Sequence, residues 1–122
     1  MSMSPDRMDQ AIRPVAEPVI DLAHLDQYTL GDRALQTELL QLFRVQLREQ
    51  SDVLTRCDSQ VDWTTACHTL KGAARAIGAV QICQVAEALE ITPSVLSEDR
   101  ETVLRPLMSV AAVFEAEVER YL

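Results

Sequence analysis

The chain has 122 residues, a length that fits one domain with a modest core and leaves no room for a second. Its net charge of −8 argues against a nucleic-acid-binding protein, because phosphates require an excess of Lys and Arg on some face, and it favours protein partners. Aromatic residues make up 4% of the sequence and only three glycines occur, which favours helices packed on helices over a sheet with many turns.

Residues 1–18 are predicted to form a flexible leader before a folded domain at residues 19–122. The leader holds three of the five prolines among charged and small residues, without apolar periodicity. Its segment Met1–Pro14 lacks the apolar core of a signal peptide, and no run of the chain is apolar over the length needed to cross a bilayer. We therefore expect a cytoplasmic monomer that binds neither membrane nor nucleic acid.

The first two predicted helices are marked by capping residues. Asp21 can cap a short helix over Leu22–Tyr28, and the pair Gly31-Asp32 ends that segment and caps the next. A long amphipathic helix follows from Arg33 to about Cys57. Its predicted apolar stripe consists of Leu35, Leu39, Leu42, Phe43, Leu47 and Leu54.

The next two segments predict an antiparallel helical hairpin. Asp62 is the expected cap of a helix over Trp63–Ile77, and Gly78 ends that helix in a tight turn. The second helix of the hairpin follows at once. Its apolar positions are Val80, Ile82, Cys83, Val85, Ala86 and Leu89.

The last helix has two possible starts. Ser97 followed by two acidic residues is typical of a helix N-terminus, and an apolar stripe runs from Val103 to Tyr121. Pro106 interrupts that stripe, because a proline removes one backbone hydrogen bond and clashes with the preceding turn. Either the proline lies inside the helix, or the helix begins near Val103 with Pro106 in its first turn. In both cases the pattern predicts an all-α fold, an up-and-down antiparallel four-helix bundle with a short additional N-terminal helix over one end.

Cys57, Cys67 and Cys83 are odd in number and lack C-x-x-C spacing, which indicates neither a disulfide framework nor a zinc knuckle. We interpret them as small buried hydrophobic residues. The alternative is a metal site made of Cys67, His68 and Cys83. It is disfavoured because neighbouring residues on a helix diverge by about 100°.

The first helix of the hairpin, predicted over Trp63–Ile77, has one polar face. At about 100° per residue, His68, Lys71, Gly72 and Arg75 share that face, while the apolar side chains lie opposite. A glycine in mid-helix costs about 1 kcal/mol relative to Ala, and close approach by a partner's backbone to the histidine would explain its presence. This face is predicted to be a docking site built around His68. The partner contacts are assigned to Gly72, Arg75, Thr69 and Thr64.

The pattern His68-x-x-Lys71-Gly72, followed by Gly78, resembles the signature of histidine-containing phosphotransfer (HPt) domains. The likeness extends upstream to Ile20-Asp21-Leu22 and Gly31-Asp32 and downstream to Ala88-Leu89-Glu90, so it covers roughly residues 19–122. It implies a helical bundle whose motif histidine carries a phosphoryl group between aspartates of response-regulator receiver domains. By this resemblance His68 is the phosphoacceptor and Lys71 supports the phosphate.

The chemistry of the residues agrees with such a relay. Imidazole has an unperturbed pKa of ~6.5, so a neutral, nucleophilic nitrogen is available near neutral pH. The sequence has no Walker loop, no kinase glycine loop and no acidic metal cluster beside His68, so no cofactor is expected in this chain. The resemblance implies that the receiver domain, of a response regulator or a hybrid histidine kinase, supplies the Mg²⁺ pocket and the aspartate. We expect a phosphoryl-carrying intermediate rather than an independent enzyme.

Glu90 departs from the family, since many members have glutamine at the corresponding position. A carboxylate there would repel a phosphate, so it either turns to solvent or pairs with Lys71 or Arg75. Two rival hypotheses are a helical adaptor that binds receivers or kinases without being phosphorylated, and the dimerisation and phosphoacceptor part of a kinase with an ATP-binding domain elsewhere.

Three further polar residues, His24, Arg44 and Arg48, are not predicted to take part in the functional site. His24, on the short first helix, has no motif around it and is predicted to be an incidental surface or packing residue. Arg44 and Arg48 are interpreted as part of a solvated helix face rather than as an extension of the docking surface.

Overall fold

The computed structural model describes residues 18–92 and 99–122. Within these two ranges it contains five helices and no strand. They are α1 (Leu22–Tyr28), α2 (Arg33–Arg56), α3 (Gln60–Ile77), α4 (Val80–Glu90) and α5 (Arg100–Tyr121). The predicted all-α class is confirmed. The predicted leader, apart from Pro18, and the predicted helix start at Ser97 lie outside the described residues.

Helices α2 to α5 form a four-helix bundle in which each helix packs on the next and α5 packs back on α2. The short connections from α2 to α3 and from α3 to α4 make these neighbours antiparallel. Apolar side chains from all four helices meet in one core, where the rings of Phe43 and Phe114 lie edge to face with centroids 5.2 Å apart. The predicted up-and-down bundle is therefore confirmed.

The short helix α1 is fastened to the C-terminal end of α3. Asp21 caps α1 by accepting a hydrogen bond from the His24 backbone N–H at 3.0 Å, as predicted. The Asp21 backbone N–H donates to the Gly78 carbonyl at 2.8 Å, and His24 Nε2 lies 3.0 Å from the Ala76 carbonyl oxygen. Of the two interpretations of His24, the packing role is confirmed and the incidental surface role is wrong, because its ring ties α1 to α3.

The apolar stripe predicted for α2 is partly wrong. Leu42 and Leu35 are exposed, whereas Leu40, which was not predicted, is completely buried. The buried face is made of Gln36, Leu40, Phe43, Leu47 and Leu54. These positions recur at intervals of three and four residues, and Leu42 lies about 100° away from that row. The sequence offers more leucines than one helix face can bury, so the facing was decided by contact with the rest of the bundle.

The buried side chain of Gln36 on α2 forms hydrogen bonds through both its amide nitrogen and its amide oxygen. Its Nε2 donates to Asp26 Oδ1 at 3.0 Å and to Thr29 Oγ1 at 2.9 Å, and its Oε1 accepts from the Tyr121 hydroxyl. Burial of an amide is tolerated when both of its ends are hydrogen-bonded. The cluster joins the α1–α2 turn to the end of α5.

Helix α3 begins three residues earlier than predicted. Ser59, not Asp62, is its cap, because the Ser59 hydroxyl accepts a hydrogen bond from the Asp62 backbone N–H at 3.1 Å. Asp62 lies in the first turn, where its negative charge favours the helix N-terminus. At the other end Gly78 is the predicted C-terminal glycine, with φ of 82°. The Ala79 N–H donates to the Ala74 carbonyl at 2.9 Å, as in a Schellman motif.

Helix α5 begins at Arg100, so Pro106 lies inside the helix and not in its first turn. The start near Val103 is therefore wrong. Leu104 and Leu107, on either side of the proline, are buried and hold this stretch against the core. Pro106 itself is exposed, as is Thr102, whose carbonyl loses its intrahelical donor and is left to water.

The cysteines occupy the positions expected of small hydrophobic residues. Cys57 and Cys67 are buried and Cys83 is half-buried, and all three are free thiols. Burial raises the pKa of Cys67 to about 12, with a smaller contribution from the negative charge of Glu90, and burial also raises the pKa of Cys57. Cys67 is buried while its neighbour His68 is exposed, which separates two members of the alternative metal site.

Across the described part of the chain, the helices are too short or too polar for any of them to span a bilayer.

Candidate functional site

His68 stands near the middle of α3 and points away from the core, as its predicted facing requires. The exposed fraction of its side chain is 71%. The buried face of the same helix is made of Trp63, Ala66, Cys67, Leu70, Ala74 and Ile77. Because burial of these side chains sets the rotation of α3, the imidazole is held outside the bundle.

Lys71, one turn after His68, is bound by Glu90 in the last turn of α4. Its Nζ lies 2.7 Å from Glu90 Oε1, and the two side chains are only 17% and 21% exposed. The hydrogen bond and charge of the Lys71 ammonium hold the pKa of the Glu90 carboxyl below its ordinary value, so the carboxylate stays ionised. Of the alternatives for Glu90, pairing with Lys71 is confirmed and pointing to solvent is wrong.

The second oxygen of the same carboxylate faces the histidine. Glu90 Oε2 lies 3.3 Å from His68 Nδ1, slightly beyond an ordinary N–H···O hydrogen bond. In the described part of the chain no hydrogen bond is made to the other ring nitrogen, Nε2. One carboxylate therefore contacts both the cation and the imidazole, and Nε2 is left open to solvent.

Trp63 holds the two helices of this site in register. Its indole Nε1 donates to the Leu89 carbonyl at 2.8 Å in a buried position, which fixes the last turn of α4 against α3 just before Glu90. Helical periodicity places Trp63 on the apolar face of this helix, and its hydrogen bond to α4 was not predicted. The signal was available, since a buried indole N–H requires an acceptor, but the acceptor could not be named without the packing of α4.

Gly72 is exposed and lies one turn beyond His68. Beyond the backbone of its own helix and its two chain neighbours, a Cβ atom built on it would meet nothing within 4 Å. The fold therefore does not require a glycine at this position, and the open space beside His68 agrees with the predicted close approach of a partner.

The other residues assigned to contact with a partner differ in how exposed they are. Arg75 is 66% exposed, and its Nη2 lies 4.0 Å from Glu87 Oε2, so it does not share Glu90 with Lys71. Thr69 and Thr64 are half-buried, and Thr64 Oγ1 accepts a hydrogen bond from Gln60 Nε2 at 3.3 Å. Arg75 and Gly72 are thus exposed on the same face of α3 as His68, while the two half-buried threonines present less surface beside it.

Arg44 and Arg48 belong to a different part of the molecule and are not merely solvated. Arg44 Nε lies 2.7 Å from Glu115 Oε1 and its Nη2 lies 2.8 Å from Glu119 Oε1, while Arg48 Nε lies 3.1 Å from Glu115 Oε2. These ion pairs connect α2 to α5. The interpretation as a solvated helix face is wrong for Arg44, which is only 17% exposed.

The model of the Hpt domain family matches residues 38–121, which is more than half of the chain. The chain belongs to the HPt family. The match includes His68, Lys71, Gly72 and Glu90 and most of the four-helix bundle, while α1 lies before it. No curated protein and no solved structure matches the chain. HPt domains act in His-Asp phosphorelays as phosphotransfer carriers rather than as kinases, and their partners are receiver domains.

Proposed function

We propose that this HPt protein relays a phosphoryl group between receiver-domain aspartates and that His68 is the residue that carries it. The observation that supports the proposal best is the exposed imidazole of His68, with Lys71 one turn away, inside the matched family region. A phosphoryl group carries nearly two negative charges, so its carrier must be accessible to water and to the partner's aspartate.

In the proposed step, Nε2 of His68 attacks the phosphorus of an aspartyl phosphate on the receiver. The N–P bond forms while the bond between phosphorus and the aspartate oxygen breaks, and the electron pair of that bond stays on the aspartate carboxylate. Onward transfer reverses these changes, as the electron pair of the N–P bond returns to Nε2. Lys71 stands where it can offset the charge of the bound phosphoryl group.

The remaining parts of the reaction are assigned to the partner. In-line phosphoryl transfer needs charge neutralisation, usually by Mg²⁺, and positioning of the attacking atom. We propose that the receiver's acidic pocket holds the Mg²⁺ and that this chain supplies the positioned histidine and a docking surface. Gly72 and Arg75 form the centre of that surface, with Thr69 and Thr64 at its edge. The receivers are those of response regulators and of hybrid histidine kinases. A monomer in the cytoplasm remains the prediction from the sequence.

The test is labelling by phosphorylated receiver in the presence of Mg²⁺. We expect one labelled residue, with a bond that survives alkali and is lost in acid, as phosphoramidates are. His68→Gln should abolish the label and change the free energy of unfolding by less than about 0.5 kcal/mol, because the side chain makes few packing contacts. The matched control is His24→Gln, which removes the other histidine of the chain and should keep the label.

Three outcomes would contradict the proposal. Label on the His68→Gln variant would show that the site is elsewhere. Binding of phosphorylated receivers by the wild-type protein without any label would instead favour the adaptor hypothesis. Incubation with labelled ATP and Mg²⁺ alone should leave the protein unlabelled, and robust autophosphorylation would favour the kinase hypothesis.

A further inference from the structure

Glu90 combines two contacts that have different consequences for a phosphorylated histidine. Its Oε1 accepts a hydrogen bond from the Lys71 ammonium at 2.7 Å, and its Oε2 lies 3.3 Å from His68 Nδ1. The side chain is 21% exposed and its helix is held against α3 by the bond from Trp63 to Leu89. The carboxylate is therefore placed by the fold, and it is the acidic group that directly faces the reacting imidazole.

The carboxylate determines which ring nitrogen carries the proton. An ionised carboxylate can only accept hydrogen bonds, and in a neutral imidazole one nitrogen is a donor and the other has a lone pair. The contact with Glu90 is favourable only when Nδ1 carries the proton, which leaves the lone pair on the exposed Nε2. Nε2 is thereby prepared to attack phosphorus, and the positive charge that develops on the ring during transfer faces an anion.

The same carboxylate is bound to the Lys71 ammonium, the cation that would otherwise bind the phosphate. Lys71 has one short bond to Glu90, and both side chains are largely withdrawn from solvent. A phosphoryl group on Nε2 must therefore compete with Glu90 for the Lys71 ammonium, and it also meets the negative charge of Glu90 nearby. A carboxylate at this position holds the phosphoryl group less firmly than a neutral side chain of the same shape would.

We propose that Glu90 is a positioning residue that keeps the His68 proton on Nδ1 and engages Lys71, so that the phosphoryl group on Nε2 is short-lived and readily passed on. The proposal rests on the function proposed for His68. The Nδ1 proton stays on the ring while the N–P bond forms at Nε2 and the aspartate oxygen takes the electron pair of the broken bond. The phosphorylated ring then carries a positive charge beside Glu90, which makes neutral imidazole the leaving group in the onward step.

The decisive variant is Glu90→Gln, which keeps the shape and removes the charge. Because Lys71 can only donate, it should hold the new amide by its oxygen and turn the NH₂ group towards His68. The proton of the neutral imidazole should then move from Nδ1 to Nε2. Glu87→Gln is the matched control, since Glu87 is on the same helix and loses the same charge but contacts Arg75.

The first measurement uses the unphosphorylated proteins. Long-range ¹H–¹⁵N correlation spectra assign the proton of neutral His68 to one ring nitrogen. We expect Nδ1–H in the wild-type protein and in Glu87→Gln, and Nε2–H in Glu90→Gln. An Nε2–H ring in the wild-type protein, or the same tautomer in all three proteins, would overturn the positioning role without reference to phosphoryl transfer.

The second measurement is the lifetime of phosphohistidine after the receiver has been removed, together with the rate of transfer to a fresh receiver. In Glu90→Gln the lifetime should rise about fivefold or more and transfer should slow, because Lys71 becomes free to bind the phosphate. Glu87→Gln should stay within about twofold of the wild-type protein. An unchanged lifetime in Glu90→Gln would overturn the proposal.

The role of Lys71 is isolated by the double variant Lys71→Ala with Glu90→Gln. If competition for Lys71 shortens the lifetime, the effect of Glu90→Gln should be much smaller in the Lys71→Ala background. An undiminished effect would show that Lys71 is not the route. If no protein in the set is labelled at all, the proposed function fails and the lifetime claim fails with it, while the tautomer spectra still decide whether Glu90 positions His68.

Discussion

A glycine lies close to a histidine at two places along helix α3. The pair at its C-terminal end is Gly78 and His24, the pair in its middle is Gly72 and His68, and the two pairs differ in their contacts with the rest of the fold. At the end, Gly78 has φ of 82° and a Cβ there would lie 3.0 Å from the Asp21 carbonyl oxygen. His24 is engaged with the Ala76 carbonyl. In the middle, Gly72 has open space around it and His68 is mostly exposed. The first pair is in contact with the rest of the fold, whereas the second pair is exposed on the surface.

The acidic residues of the two regions repeat this contrast. Asp21 at the end of α3 caps α1 with its side chain and binds Gly78 with its backbone, so both of its contacts stabilise the fold. Glu90 in the middle divides its carboxylate between Lys71 and the ring of His68. Similar residue types therefore stabilise the fold at the end of α3, where Asp21 and His24 bind backbone groups of the chain. In the middle of α3 they surround the exposed ring of His68, the proposed phosphoacceptor.

The strongest test of this comparison is the same substitution at both glycines. Gly78→Ala should destabilise the protein by about 1–3 kcal/mol, because alanine is strained at a positive φ and its Cβ meets a backbone oxygen. Gly72→Ala should stabilise the protein by up to about 1 kcal/mol, because alanine has the better helix propensity and nothing obstructs it. Chemical denaturation measures both values. Equal effects at the two positions would contradict the distinction.

A second pair of variants separates access from charge in the middle of α3. Gly72→Gln should weaken binding of a receiver about tenfold or more, because a long side chain would block the approach to His68, while the melting temperature stays equal or rises slightly. Lys71→Ala should still bind but should transfer the phosphoryl group more slowly or hold it for a shorter time. Affinity and transfer rate are measured for both. If Gly72→Gln behaves as the wild-type protein, the docking surface lies elsewhere on the bundle.

His24, which lies on α1 and contacts the C-terminal end of α3, should matter for stability and not for phosphoryl transfer. His24→Ala removes the contact with the Ala76 carbonyl and the stacking of the ring on Tyr28, and it should cost about 1 kcal/mol of unfolding free energy. Labelling of His68 by a phosphorylated receiver should be retained. Loss of label in a variant that remains folded by circular dichroism would show that α1 takes part in the functional surface.

The smallest expected effect is the pH dependence of the Lys71–Glu90 pair. Lys71 lowers the pKa of Glu90 in the folded protein below its ordinary value, so the pair stabilises the fold at pH values above that ordinary pKa. The contribution is lost as the pH falls through the lowered pKa. Thermal melts of wild-type protein and Glu90→Gln should therefore differ slightly near pH 7 and converge as the pH falls through the lowered pKa of Glu90. A difference that grows on acidification would contradict the assigned direction.

The local signals along the chain predicted most of the helix ends. Asp21, Asp32 and Gly78 act within three or four residues of themselves, so their capping roles could be read without knowledge of the fold. Ser59 was missed because Gln60 and Val61 are exposed and add nothing to the apolar stripe, so the stripe starts only at Trp63. Two capping residues three positions apart are both plausible locally, and the backbone geometry selected the first.

Long-range contacts explain the errors in α2 and α5. In α2 the apolar residues exceed one face, and contact with α3 and α5 decided that Leu40 is buried and Leu42 exposed. In α5 the local cost of Pro106 argued for a later start. Burial of Leu104 and Leu107 on either side of the proline offsets that cost, and the exposed position of Pro106 leaves the unpaired carbonyl accessible to water.

The sequence by itself determined the helical class, the order of the helices and the face on which His68, Lys71 and Gly72 lie, because helix periodicity and capping depend on residues close in the chain. Only the tertiary structure decided what Glu90 does. Its distance to Lys71 and His68 depends on how closely α3 and α4 pack and on the bond from Trp63 that aligns the end of α4. The chemistry of the site therefore follows from a contact between residues nineteen or more positions apart, which no local pattern specifies.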